Sequence, residues 1–188
     1  YGRGAGAVEQ VVIDEELATA GVERPDIVIA GWALPTIVQH GSDEQRERFV
    51  LPSLRGEIEW CQLFSEPGAG SDFAGMTTTA ERVEGGWRIN GAKGPISGAE
   101  RAETIITAAR TGTFPDQPRQ KGITLFLVDN PGPGLAFERR DYLSMKALMV
   151  NDIAYDDGDR EKNVEARLIR KLSLLAIAKK NGHAAVVA

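Results

Sequence analysis

The chain has 188 residues, 42% apolar and 26% charged, which suits a globular protein of one large domain, or one medium domain with appendages, and a real core. A formal charge of -5 excludes a general attraction to nucleic acid or anionic membranes, so any anionic ligand needs local donors. The single cysteine, Cys61, excludes an intrachain disulfide framework and fits a reducing, cytoplasmic setting; no stretch approaches the roughly 20 apolar residues of a membrane span, and no basic-then-apolar leader opens the chain.

The opening at Tyr1, without an initiator Met, predicts further sequence upstream. The first elements read as helical. "AVEQVVIDEELATAG" begins an apolar stripe at Val8, Val11 and Val12, and Gly21 can stop it in a left-handed cap. A second helix begins in "GSDEQRERFV", where Ser42 and Gln45 have capping-box spacing; Pro52 interrupts it and Gly56 offers an exit. From Trp60 the period changes. "EWCQLF" reads as a short strand, and "MTTTAERV" as another that turns through Gly85-Gly86 into "WRIN". Asn90-Gly91 is a second hairpin signal, leading into "AKGPIS". "TIITAAR", "GITLFLVD", "GLAFERR" and "MVNDIAYDD" complete the strands, and "TGTFPDQPRQK" is a polar, exposed loop.

Short strands joined by Gly, Pro and Asn predict an antiparallel sandwich or barrel rather than alternating β-α units. After Asp159 the helical period returns, with Val164, Leu168, Ile169, Leu172, Leu175 and Ala176 on one face and Asn181-Gly182 as a stop. That apolar stripe needs a partner surface. The expected fold class is α+β: N-terminal helices over residues 1–58, an antiparallel β-barrel-like middle domain over 59–158, and a C-terminal amphipathic helix within 159–188.

The stretch with most chemical potential is "FSEPGAGSD", straight after the first strand. Gly68, Ala69 and Gly70 let a ligand approach main-chain N–H groups, and Ser65 and Ser71 add hydroxyls; a polar ring edge or a phosphate would use both. The same residues also read as a tight turn capped by Ser71-Asp72. "RINGAKGPISGAE" brings Lys93, Pro95 and Ser97 near the end of a hairpin, which is either structural or reaches the same ligand. The glycines of "YGRGAG" imitate a dinucleotide fingerprint without a preceding strand. His40 and His183 are far apart and no Cys-x-x-Cys exists, so no metal set is expected. Cys61, inside an apolar strand, reads as a core residue rather than a nucleophile. The pairs Glu15-Glu16 and Asp156-Asp157 read as solvated surface.

Taken together, "WCQLFSEPGAGSDFAGMTTTAERVEGGWRINGAKGPISGAERAETIITAART" and the later "GITLFLVDNPGPGL" resemble the middle β-domain of the acyl-CoA dehydrogenase family. "GWALPTIVQHGSDEQRERFVLPSLRGE" looks like the end of that family's N-terminal helical domain, and "MVNDIAYDD" like the strand closing the β-domain. The resemblance spans roughly residues 1 to 157, too long and ordered for one chance motif.

The resemblance implies a fold of three parts: a helical N-terminal domain, a β-barrel-like middle domain and a C-terminal helical bundle, with FAD between the last two. It implies a reaction that takes the α-proton of an acyl-CoA thioester with a glutamate base and passes the β-hydride to flavin, giving a trans-2-enoyl-CoA. By motif match Gln62, Leu63, Phe64 and Ser65 flank the flavin ring, Pro95, Ile96 and Ser97 form the second wall, and Ser71 contacts the CoA portion of the substrate. Pro95 stands where the family usually has Trp, which removes an aromatic wall and a donor. No glutamate of this chain matches the family's base, so no catalytic residue is assigned; Glu161 and Glu165 read as helix N-terminal charges. The implied partners are an acyl-CoA substrate, an electron-transfer flavoprotein or similar acceptor, and further copies or related chains in a homo- or hetero-oligomer. A truncated or internally deleted family member fits the missing bundle. A non-catalytic partner subunit or inactive fragment using the fold for assembly is the alternative, and an acyl-CoA oxidase shares every residue named.

Overall fold

The computed structural model describes residues 4–23, 27–84, 86–112, 118–132, 134–140, 150–155 and 166–168. Helix α1 (Ala7–Thr19) ends as expected, with Gly21 at φ +64° just beyond it. Its valine stripe does not bury: none of its residues is buried, and Val8 is 78% exposed. The stripe fails because Asp14, Glu15 and Glu16 follow it within one turn, leaving the apolar face too short to seat.

Helix α2 (Val28–His40) was not anticipated from periodicity, because "VIAGWALPTIVQH" is apolar nearly all round and shows no clear face. It buries Ala30, Ala33, Leu34 and Ile37, the i, i+3, i+4, i+7 set of one face. Helix α3 (Asp43–Leu54) carries the expected capping box: the Gln45 N–H donates to Ser42 Oγ at 3.2 Å, and the Ser42 N–H to Gln45 Oε1 at 3.0 Å. Pro52 does not interrupt it. In the last turn a proline removes a single i→i−4 bond, and the chain beyond still donates, Arg55 N–H to Leu51 O at 3.1 Å and Glu57 N–H to Pro52 O at 2.9 Å.

The strands are β1 (Trp60–Leu63), β2 (Thr79–Val83), β3 (Gly86–Ser97), β4 (Thr104–Arg110), β5 (Ile123–Asp129), β6 (Leu135–Arg140), β7 (Val150–Tyr155) and β8 (Ala166–Leu168). They form one eight-stranded sheet in the order β6-β7-β3-β2-β4-β5-β8, with β1 attached to β4. Three expectations are corrected by this topology. The sheet is mixed rather than antiparallel, since β1 and β2 both run parallel to β4; the chain reverses once from β2 to β3 and again from β3 to β4, which returns β4 in the direction of β1. The strand path among the described residues is open, from β6 at one end to β8 at the other, so the sheet is not a closed barrel. Residues 166–168 pair with β5 as a strand where a helix was expected, so Leu168 faces Phe126 across a ladder; the rest of that stripe lies outside the described residues.

Asn90-Gly91 is not a turn either. β3 runs straight through it, and Gly91 is required for another reason: at φ +149° a Cβ there would meet Thr78 Oγ1 at 2.5 Å. The glycine lets β3 pass against Thr78.

Two apolar clusters lie on opposite faces of β4 and β5. Ile105, Phe126 and Val128 join Ile89, Ile96 and Ile153 inside the curl of the sheet, with Trp87 edge-on to Phe126 at 5.5 Å. Ile106, Leu125 and Leu127 meet Leu34, Ile37 and Phe49 of the helices. Burial on both faces explains why "TIITAAR" and "ITLFLVD" read as continuous apolar runs. Among the described residues no helix is long and apolar enough to cross a membrane. Because Phe126 is fully buried at the centre of the first cluster, Phe126→Ala should cost about 3–5 kcal/mol of unfolding free energy; urea denaturation reads this directly, and an unchanged midpoint would contradict the placement.

Candidate functional site

Alternation along β1 turns Cys61 and Leu63 into the sheet's core, each 0% exposed, and leaves Trp60, Gln62 and Phe64 on the helix side. The Phe64 ring meets Trp32 of α2 at 5.3 Å and Phe73 at 5.2 Å, while Trp60 lies edge-on to Phe49 at 5.5 Å. Burial pushes the Cys61 thiol up to about 12 against an opposing main-chain hydrogen bond at Gln62, which keeps it protonated and suits the core role expected of it.

The chain then turns tightly, Glu66 N–H to Ala69 O at 3.0 Å and Ala69 N–H to Glu66 O at 3.1 Å. Gly68 and Gly70 have ordinary negative-side or extended backbones, and a Cβ on either would meet nothing within 4 Å. Neither crowding nor conformation within the chain requires glycine at these positions, and the backbone of this turn stays open to an approaching group. Ser71 is exposed. Asp72 does not cap the following 3-10 turn, Phe73–Gly75, with its side chain; it accepts from Arg119 Nη2 at 3.2 Å. Arg110, at the end of β4, clamps this segment by donating to the carbonyls of Met76 at 2.8 Å, Arg119 at 3.1 Å, and Ala74.

The second predicted segment is shaped by a bulge. Between Lys93 and Ile96 β3 advances three residues while β7 advances two, from Ile153 to Asn151. The extra residue resets the alternation, so Lys93 and Ile96 both point inward and Pro95 and Ser97 are exposed. Three hydrogen bonds join this segment to the first: Cys61 Sγ to Ser97 O at 3.4 Å, Gly94 N–H to Ser65 O at 3.0 Å, and Lys93 Nζ to Phe64 O at 3.1 Å. The two segments are therefore neighbours. Ser97 lies beside Cys61 and Ser65 beside Gly94, so the two serines stand four residues apart along the first segment, roughly 13 Å of extended chain.

Sequence reading missed the centre of this junction. The Lys93 ammonium, 0% exposed, donates to Glu66 Oε1 at 2.9 Å, and the Glu66 carboxylate also accepts from Thr77 N–H at 2.6 Å, Thr77 Oγ1 at 2.8 Å and Thr78 N–H at 2.9 Å. The available signal was a lysine amid small and apolar residues in "GAKGPIS", but only the bulge turns it inward. Burial alone would raise the Glu66 carboxyl; the donors of Thr77 and Thr78 and the Lys93 ammonium outweigh it and hold the group down at about 2. Burial lowers the Lys93 ammonium, opposed by the Glu66 carboxylate.

A cleft of about 290 Å³ lies at one end of this junction, lined by Ala30 of α2, Trp60, Ser97, Gly98 and Arg101. Its size is at the lower end of ligand pockets, roughly 300 Å³ and upward. Ser65 does not line it. A larger cleft of about 590 Å³, between β2 and the end of β4, holds none of the predicted residues; of the three arginines that line it, Arg88 pairs with Glu81 and Arg110 donates to three carbonyls. Because the folded-state carboxyl of Glu66 is depressed, its contribution is present above its ordinary value of 4.5 and drains as pH falls toward 2. Thermal melts between pH 5 and pH 2 should therefore steepen in the wild type relative to Glu66→Gln, and parallel profiles would refute the assignment.

A sequence profile for "Acyl-CoA dehydrogenase, middle domain" matches residues 61–157. The chain is 57% identical over 135 residues to acyl-CoA dehydrogenase FadE34 of Mycobacterium tuberculosis, an alignment covering 72% of this chain and 19% of that protein. The fold superposes on the ChsE4-ChsE5 complex of Mycobacterium tuberculosis with TM-score 0.72 at 25% identity, covering 97% of this chain and 46% of that one. It also superposes on a glutaryl-CoA dehydrogenase of Mycobacterium smegmatis in complex with FADH2, with TM-score 0.62 at 27% identity, covering 77% of this chain and 35% of that one. The chain thus spans less than half the length of each. With the middle-domain profile matching over half of its residues, the chain belongs to the acyl-CoA dehydrogenase family, whose members use FAD.

Proposed function

We propose that this chain supplies the flavin- and substrate-facing wall of an acyl-CoA dehydrogenase that converts an acyl-CoA thioester to its trans-2-enoyl-CoA. The observation that supports this reading most is the triple tie between residues 61–65 and 93–97, which sets two donor-bearing segments side by side. The donor set suits FAD: the Ser97 hydroxyl is exposed beside the Trp60 cleft, the Ser65 hydroxyl is half-buried, and Gln62 adds an amide on the same face as Phe64. When bound, FAD supplies the acceptor for the β-hydride.

The chain's own residues then act as follows. Gln62, Phe64 and Ser65 would hold one side of the ring and Pro95 and Ser97 the other, while Leu63 and Ile96, whose side chains are buried in the sheet's core, would back that wall rather than touch the ligand. Hydrogen-bond donors fixed at the polar edge stabilise the negative charge that reduction places there, without reorganising. The open backbone at Gly68 and Gly70, next to Ser71, receives the CoA portion of the substrate. No residue of this chain is assigned as the base. Electrons leave to an electron-transfer flavoprotein or similar acceptor, and the working assembly is a homo- or hetero-oligomer, in keeping with the complex formed by ChsE4 and ChsE5. A non-catalytic assembly role is not favoured, given a 57% identical relative that is an acyl-CoA dehydrogenase.

Flavin titration of the purified chain tests this. FAD binding should develop visible flavin absorbance on the protein, Ser97→Ala should weaken it roughly two- to tenfold, the worth of one hydrogen bond, and Pro95→Trp should tighten it by restoring an aromatic wall. A wild-type chain with no affinity for FAD would sink the proposal.

A further inference from the structure

Lys93 touches more than its carboxylate partner. Its buried ammonium also donates to the Phe64 carbonyl, and that carbonyl is one end of a peptide unit whose other end is the Ser65 N–H. A cation on a carbonyl oxygen draws electron density along the conjugated unit and leaves the N–H more positive, hence a stronger donor. Two features keep the effect large. Lys93 is 0% exposed, so water does not screen it. The Glu66 charge is shared among Thr77 N–H, Thr77 Oγ1 and Thr78 N–H as well as Lys93, which lessens its cancellation of the ammonium's field at Phe64 O.

Ser65 itself is held on both sides, through the Phe64 carbonyl by Lys93 and through its own carbonyl by the Gly94 N–H. Among the described residues its N–H has no acceptor. It is a main-chain donor both fixed in place and unspent.

We propose that Lys93 is a positioning residue that polarises the Phe64–Ser65 peptide and so strengthens the Ser65 N–H as a donor to a ligand edge that gains negative charge. The ligand named, the flavin's polar edge, rests on the proposed dehydrogenase function. Glu66 keeps the ammonium in place and charged.

The test uses the full chain, labelled with nitrogen-15. Lys93→Met combined with Glu66→Gln removes both charges together and leaves neither buried alone; Lys93→Gln combined with Glu66→Gln is the second variant, retaining a neutral donor should the first fail to fold. The Ser65 amide proton should move upfield in the Met variant and less so in the Gln variant; both carry Glu66→Gln, so the difference between them is free of that neighbouring substitution's own effect on the Ser65 shift. FAD binding by the Met variant should be about tenfold weaker than wild type, the worth of a charge-assisted hydrogen bond. A Ser65 amide indifferent to both variants overturns the role of Lys93, however FAD behaves. A wild-type chain without FAD affinity removes the flavin as the ligand, while the amide shift still decides the polarisation.

Discussion

The buried pair of Glu66 and Lys93 is the constraint on which the candidate site depends. Removing a carboxylate and an ammonium from water costs several kcal/mol for each ion, and such a pair persists only when nearly every donor and acceptor is used. Here the condition is met: the carboxylate takes two main-chain N–H groups, a hydroxyl and the ammonium, and the ammonium reaches a carbonyl as well. The geometry matters as much as the energy. β1 has its ladder with β4 and none with β3, so this hub, with the Cys61–Ser97 and Gly94–Ser65 hydrogen bonds and the shared core, is what ties the end of β1 to the bulge of β3. One ion pair draws together the outgoing end of β1, the glycine turn, the Thr77-Thr78 step and β3.

Around that hub the chain separates rigidity from access. β4 and β5 are buried on both faces, gripped by the curled sheet on one side and by α2 and α3 on the other. They form a slab that nothing on the surface deforms easily. The chemistry-bearing residues sit at its margin, where Ser71, Pro95 and Ser97 are exposed and where Gly68 and Gly70 leave backbone uncovered. Arg110 bridges the two regimes, since it ends β4 and holds the carbonyls beneath the Ser71-Asp72 corner.

Much of this was legible in the residues, for reasons that differ by element. β4 was readable to the residue because its two-sided burial leaves an unbroken apolar word bounded by polar ones. Ser42 and Gln45 announced α3 because a capping box is a local device that tertiary context does not alter. α2 was not legible from period, since a helix apolar on nearly all sides has none to detect; only the resemblance of "GWALPTIVQH" to a helical domain pointed to it. The unbroken run of β3 was hidden for the opposite reason: Asn90-Gly91 has the local chemistry of a turn, and the glycine is there for the sake of Thr78, just ahead of β2. Of the site, the motif residues were recognisable as a set, whereas the inward turn of Lys93 depends on a bulge defined only against β7. A register is a relation between two strands, and neither strand alone contains it.

The parallel pairing of β1 with β4 bears on how the protein is made. Trp60 faces Thr104, so on a ribosome the first strand emerges 44 residues ahead of its ladder partner (104 − 60). Until β4 follows, "WCQL" presents a bare edge and an apolar face, and the β2–β3 hairpin, whose partners are close in sequence, has every chance to form first. The nascent chain thus passes through a window in which its future ligand wall is an adhesive strand, the kind of segment that chaperones shield and that crowded expression exposes to off-pathway association.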